Sequence, residues 1–383
     1  MRTFPTILVL SIPVLSAAVA FAQRAVDFEG RPATALENDR IELQILNKGG
    51  AFASLMLKSG TEKMNPLWNP IRMARETGGD ARFGDSIGHF VCVDGFGPTS
   101  KEEQAAGYQG HGEAHRQPWE RVSATKEGGV TKIKFRATLP IMQEVFTRQV
   151  ELADGEQVIY VDSELENLLG FDRPANWAEH GTIGAPFLTP EKTVVDASVG
   201  RCQVRPHNNQ PRHTLTSGRE FVYPVAPQMD GTMRSTRTVP ANPNSMDHTG
   251  CLMDTDRRLV YVTALRPDKR LLIGYLWRRA EYPWLQEWMN YPSSGALARG
   301  LEFGTQPYDV SHRETIEMGN LFGMPAFRWL PAKSKIGTRF AMFLTEVPEG
   351  FTKVDDVRHE DGKIILEDKK AGKKVELKAS LPL

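Results

Sequence analysis

Four segments of this 383-residue chain place proton-carrying side chains among aromatic ones. In GHGEAHRQPWE (110–120), His111, Glu113 and His115 alternate, and on a strand that period turns all three to one face. Such a face can hold a divalent metal if a further ligand such as His180 joins it. It also suits a sugar site, where Arg116 offers hydrogen bonds and Trp119 a flat apolar surface, and it equally describes a polar strand facing water. PANWAEHGTIGAPFLTP (174–190) sets Glu179 and His180 after Trp177 and before Gly181 and Gly184, where the backbone can turn and a ligand can come close. A histidine there is either structural or a proton donor and acceptor near neutral pH. In ARGLEFGTQPYDVSHRETIEMG (298–319), alternation turns Glu302 away from Leu301 and Phe303, towards solvent or towards a cleft in which it can act as a base. YPWLQEWMNYP (282–292) crowds Tyr282, Trp284, Trp288 and Tyr291 around Gln286, Glu287 and Asn290. Aromatic residues in strands usually build the core, but Gln286 and Asn290 among them point to a cleft wall with Trp288 as one of its faces.

Taken in order, an early His-Gly with a Trp shortly after it, a mid-chain Asn-x-x-x-His, and a late Leu-Glu-x-x-Thr-Gln-Pro resemble the galactose mutarotase (aldose 1-epimerase) superfamily over roughly residues 40–345. The resemblance implies a large β-sandwich acting on a free monosaccharide or sugar derivative, with His111 contacting the sugar, His180 as general acid and Glu302 as general base. It implies no metal or organic cofactor: one carboxylate and one imidazolium on opposite sides of the sugar open the ring and close it on the other face. Two departures mark a divergent branch. His180 runs into Gly181-Thr182 rather than into Pro and an aromatic, and Phe303-Gly304 separates Glu302 from Thr305-Gln306. The superfamily's early arginine falls at Arg72, at Arg82 or at neither. Because one scaffold hosts several chemistries, two alternatives stand beside the epimerase: a metal-assisted sugar lyase or isomerase using His111, Glu113, His115 and His180, and a non-catalytic carbohydrate-binding protein.

The elements that must carry these residues read as strands. TKIKFRATL (131–139), EVFTRQVELA (144–153), EQVIYVDSELEN (156–167), RLVYVTALRP (258–267), RLLIGYLWRR (270–279) and TRFAMFLTEV (338–347) alternate apolar and polar residues with many β-branched and aromatic ones. No long amphipathic helix intervenes, so the expectation is all-β: a large antiparallel sandwich forming a single domain over 23–383. Residues 76–85 and 205–244 read as loops, the second framing the site and setting specificity. KIILEDKKAGKKVELKA (363–379) reads as two strands around a lysine-rich turn whose charges discourage edge pairing.

Composition narrows the class. With 47 Lys plus Arg against 47 Asp plus Glu, 40% hydrophobic and 25% charged residues, the chain is neither a disordered tail, nor a basic nucleic-acid binder, nor a polybasic membrane-surface protein. Residues 1–22 have Arg2, an apolar run from Ile7 to Ala20 and a small-x-small end at Ala20-Phe21-Ala22. That layout predicts a secretory signal peptide cleaved before Gln23, export to the periplasm and no remaining membrane anchor. Of Cys92, Cys202 and Cys251, none forms a close pair in sequence. The plain expectation is three buried small hydrophobes, with Cys202–Cys251 the pair to test in an oxidising compartment.

Overall fold

The computed structural model describes residues 23–60, 62–79 and 86–383, so the predicted signal peptide and Arg82 lie outside the described residues. The alternating segments become the strands Val130–Leu139, Glu144–Ala153, Val158–Asn167, Leu259–Arg266, Leu271–Arg278 and Lys335–Glu346. With Val194–Ala197 and Glu120–Glu127 at its edges they form an eight-stranded antiparallel sheet. Their phase shows why: Ile133, Phe135, Ala137 and Leu139 are buried, while Lys134 and Arg136 between them reach towards water.

A thirteen-stranded sheet packs against it. It runs from Gln23–Phe28 through Arg31–Glu37, Ile41–Leu46, Phe52–Leu57 and His89–Val93 to the central strands Trp177–Gly184, Ala298–Gly304, Trp284–Tyr291 and Ser245–Met253. It ends with Val199–Val204 and three short strands between Glu220 and Ser235. The core lies between the sheets, where Trp177, Phe303, Tyr282 and Leu301 meet Phe146, Trp277 and Phe340. The central strands are buried on both faces, because loops cover the face turned away from the other sheet; every residue of Trp177–Gly184 is buried. That second, loop-covered face is where a cleft can form without leaving backbone groups unpaired.

Residues 205–244 are neither regular nor loose. Their short strands extend the sheet, and Leu215, Ala226 and Val239 anchor them in the core. Cys202 and Cys251, cross-strand neighbours, form a disulfide, so of the three cysteines only Cys92 remains a buried free thiol. The expectation of three unpaired cysteines is corrected: strand register, which the 49-residue separation hides, brings the two together. The C-terminal strands Lys363–Asp368 and Lys373–Lys378 flank the lysine-rich turn as expected, and with Asp356–Glu360 they pack Ile364, Leu366 and Leu377 on the outer face of the eight-stranded sheet.

Candidate active site

Two neighbouring strands deliver the central pair. His180 on Trp177–Gly184 and Glu302 on Ala298–Gly304 are direct cross-strand partners, so their side chains leave the sheet on the same face. His180 Nε2 lies 3.1 Å from Glu302 Oε1, without the alignment of a hydrogen bond. On the far side of the ring, His180 Nδ1 and the Thr182 hydroxyl share a 2.8 Å hydrogen bond that fixes the imidazole plane. Thr182 is itself paired with Gly300, and the Glu302 carboxylate folds back over that glycine; any side chain there would collide with it. Gly300 is therefore a requirement of the site that sequence inspection passed over.

Both groups are taken out of water, and both respond. Burial, aided by the nearby Asp309 charge, pushes the Glu302 carboxyl well above its ordinary range. Burial, with His111 beside it, holds His180 well below the ordinary imidazole value. The unliganded pair therefore favours its neutral form, with one proton held between two groups. They open on a cavity of about 340 Å³ lined by Trp68, Phe90, His111, Trp288 and Asp309. Phe90 stacks on the His180 ring at 4.2 Å, and His111 meets it edge-on at 5.3 Å. Burial lowers the His111 pKa to about 4, so this ring is neutral at physiological pH.

Of the residues singled out in sequence, the structure brings His111, His180, Glu302 and Trp288 to one cavity. The strand expected over 110–120 is absent. His111 and Gly112 both adopt positive φ (65° and 73°), and Ala114–Arg116 forms a 3₁₀ turn, so the alternation carries no common face. Glu113 instead accepts hydrogen bonds from the Ile141 and Met142 amides, which ties down the 140–143 turn. His115 lies buried beneath Phe90, and Arg116 turns outward to Gln109. His111, Glu113, His115 and His180 thus do not converge as ligands, and no such cluster occurs among the described residues.

Trp119 is also corrected. It sits between the sheets beside Phe135 and Phe146, its indole N–H donating to the Ala114 carbonyl at 2.9 Å, with Gly50 flush against the ring. Trp177 and Trp284 are likewise buried, bonded to Glu179 and to the Pro325 carbonyl. Gln286 faces the same side as Glu302, but its amide donates to the Gln306 carbonyl under the 305–309 loop, so it secures the loop and does not line the cavity. Asn290 lines the adjoining cavity. Arg72 is bound to the Ala185 carbonyl and lies off the cavity lining.

Sequence inspection missed His248 and Asp309. His248, opposite Trp288 on the next strand, places Nε2 3.8 Å from Glu302 Oε2 and 3.4 Å from Asp309 Oδ1. Burial, only partly opposed by Asp309, lowers its pKa to about 4. Asp309 is held by Arg205 in an ion pair. The loop that brings it there is wedged between Gly97 and Gly250, positions where a Cβ would strike Asp309 and the Pro307 carbonyl. The cue was available: Asp309 follows Thr-Gln-Pro-Tyr directly, and His248 alternates with Met246 and Gly250 on a strand.

No family model and no curated protein matches the chain by sequence. Solved structures do match in fold. A Klebsiella pneumoniae protein provisionally assigned as an aldose 1-epimerase superimposes with a TM-score of 0.59 at 13% identity, over 85% of this chain and 83% of its own. A galactose mutarotase-like protein from Clostridium acetobutylicum gives 0.57 at 11%, over 85% and 98%. A galactose mutarotase related enzyme from Lactobacillus acidophilus gives 0.55 at 12%, over 85% and 100%. The chain has the galactose mutarotase-like fold, an all-β architecture of large antiparallel sheets.

Proposed function

We propose that this protein is an aldose 1-epimerase-like isomerase that interconverts the anomers of a sugar by general acid/base catalysis, with His180 as acid and Glu302 as base. The observation that carries the reading is the cross-strand pair itself: a carboxyl group and an imidazole, 3.1 Å apart, buried and incompletely hydrogen-bonded, facing a cavity walled by Phe90, Trp68 and Trp288. Ring opening removes the proton of the C1 hydroxyl and protonates the ring oxygen, and both oxygens are bonded to C1. Acid and base can therefore act side by side rather than from opposite sides of the sugar, and the cross-strand pairing of His180 with Glu302 supports that arrangement.

One proton suffices for the cycle. In the reactive form the pair's one proton has passed from Glu302 to His180 across their 3.1 Å contact. The Glu302 carboxylate then takes the hydroxyl proton as the His180 imidazolium delivers its own to the ring oxygen and the C1–O5 bond breaks. After rotation about C1–C2 the two transfers run backwards on the other carbonyl face. While charged, His180 donates Nδ1–H to Thr182, which keeps Nε2 aimed at the substrate. Each well-placed transfer is worth about 10²–10⁴-fold. The aromatic walls suit the C–H faces of a pyranose, and His111 and Asp309 offer polar groups for its hydroxyls.

Export is part of the proposal. It rests on the signal-peptide pattern of residues 1–22 and fits the Cys202–Cys251 disulfide, and the N-terminal sequence of the mature protein tests it. For the reaction, exchange NMR on a panel of neutral and acidic sugars, with catalytic amounts of protein, reads α/β interconversion directly. Accelerated exchange that disappears in E302Q supports the assignment. Binding without acceleration across the panel would move the protein to the carbohydrate-binding class, and dependence on added metal would move it to the metal-assisted one.

A further inference from the structure

A second cavity of about 310 Å³ adjoins the first and shares Trp68 with it. Its walls include Met73, Pro292, Asn290 and Arg212. The strand Trp284–Tyr291 links the two: Gln286 stands opposite Glu302, Trp288 lines the first cavity, and Asn290, next on the same face, lines the second. Four residues of strand, at about 3.3 Å each, put the Asn290 end roughly 13 Å from the reacting pair. That is beyond one pyranose ring seated with C1 at Glu302 and within reach of the next. Trp68 and Trp288, edge to face at 5.7 Å, form the ridge between them.

The second cavity has a definite charge character. Arg212 donates to the Ser245 carbonyl at 3.0 Å and to Asn290 Oδ1 at 2.8 Å, both neutral acceptors. Its Nε is buried with no partner, and among the described residues the guanidinium forms no ion pair. Among the described residues this partly buried guanidinium meets only neutral oxygens and not the carboxylate its planar fork is shaped for. Asn290 meanwhile donates its amide N–H groups to no partner among the described residues.

The geometry points to a second sugar subsite: the cleft takes a reducing disaccharide or short oligosaccharide, with its reducing end at His180–Glu302 and the carboxylate of a uronosyl residue against Arg212 and Asn290. The inference rests on the epimerase reading for the orientation of the sugar and on Arg212 for its charge. A single acidic monosaccharide does not meet both sites, because the span separates them.

The test compares α/β exchange for cellobiose and maltose with the same disaccharides in which the non-reducing glucose is oxidised to glucuronic acid, and with glucose. The acidic disaccharides should show a kcat/KM on the order of tenfold above their neutral counterparts, as one charged hydrogen-bonded contact provides. In R212Q that ratio should collapse to about one, while R212K keeps part of it. Exchange of the acidic disaccharides no faster than the neutral ones, or a ratio that survives in R212Q, overturns the subsite and leaves the epimerase reading standing. If no sugar is anomerised, that reading fails, and calorimetric titration of the same four disaccharides then decides the subsite. Tighter binding of the acidic pair, lost in R212Q, sustains it, and equal binding ends it.

Discussion

Two buried histidine–carboxylate pairs hang from the strand Trp177–Gly184, one on each face, and they illustrate the difference between holding a fold and doing chemistry. Glu179 points between the sheets, where it receives His89 at 2.8 Å, Tyr282 at 3.1 Å, the Trp177 indole at 3.2 Å and the Arg148 guanidinium. Burial alone would raise its pKa, but the Arg148 charge and the donors around it outweigh burial and hold the carboxylate below its ordinary range. Glu302, one strand over and on the other face, lacks such a shell, and burial wins. The residue types are the same, and the number of satisfied oxygens separates them. A carboxylate surrounded by donors is fixed in charge, while one left short can change its protonation during a reaction.

The strongest way to break this comparison is E302Q. If Glu302 is the base, anomer exchange should fall by about 10²–10⁴-fold, with the folded state kept or slightly stabilised at neutral pH. E179Q should do the reverse: leaving Arg148 and His89 around a neutral amide costs about 3–5 kcal/mol in urea unfolding. Full exchange in E302Q, or unchanged stability in E179Q, would abolish the distinction.

The sign of the pH dependence sharpens it. The lowered pKa of Glu179 contributes stability that is present above the ordinary value near 4.5 and lost as pH falls through its folded value. The raised pKa of Glu302 acts oppositely, taking stability away as pH climbs from 4.5 towards its folded value. Unfolding midpoints measured against pH should therefore show the deficit of E179Q shrinking in acid and the advantage of E302Q growing towards neutrality. Parallel curves would contradict the contrast.

Trp119 and Trp288 repeat the lesson with aromatic groups. Their sequence contexts look alike, both rich in polar neighbours, yet one fills the core and the other walls the cavity. W119A should cost about 3–5 kcal/mol of stability, read by urea unfolding, with KM little changed. W288A should raise KM with a small stability effect.

What was legible in the sequence follows from period. Alternation is a local property, so Val130–Leu139, Glu144–Ala153 and their neighbours could be read directly, as could the face on which Glu302 leaves its strand, whereas Gly181 and Gly184, read as a place for the backbone to turn, continue the strand that carries His180. The 110–120 segment misled because alternation without β-branched residues, interrupted by glycines, describes a turn as well as a strand, and the positive φ of His111 settles which. Trp119, Gln286 and Arg116 were misplaced because cavity or core is decided by what another strand or loop brings up against them. His248 and Asp309 escaped for the same reason, since their proximity to Glu302 exists only in the sheet order and in the loop clamped by Gly97 and Gly250.

His248 supplies the finest test, because it stands where the two kinds of environment meet. It lies between Glu302 and Asp309, buried, with neither ring nitrogen hydrogen-bonded, and it is neutral. Its Nε2 faces both carboxyl groups, and a neutral imidazole that turns Nε2–H onto one of them when Glu302 ionises would ease the repulsion between the two, the role of a positioning residue for the base. Replacing it with leucine leaves Glu302 facing Asp309 without that donor, so the carboxyl becomes harder to ionise. Exchange should fall roughly five- to tenfold, the scale of one lost donor, and the whole pH–rate profile should move upward in pH. H248Q, whose amide nitrogen reaches the position of Nε2, should recover most of the rate and return the profile. A purely packing role predicts that leucine is tolerated at least as well as glutamine and that the profile stays in place. The order of the two variants therefore decides whether Glu302 works alone, or whether the site was given, in His248, the single donor that Glu179 has in abundance.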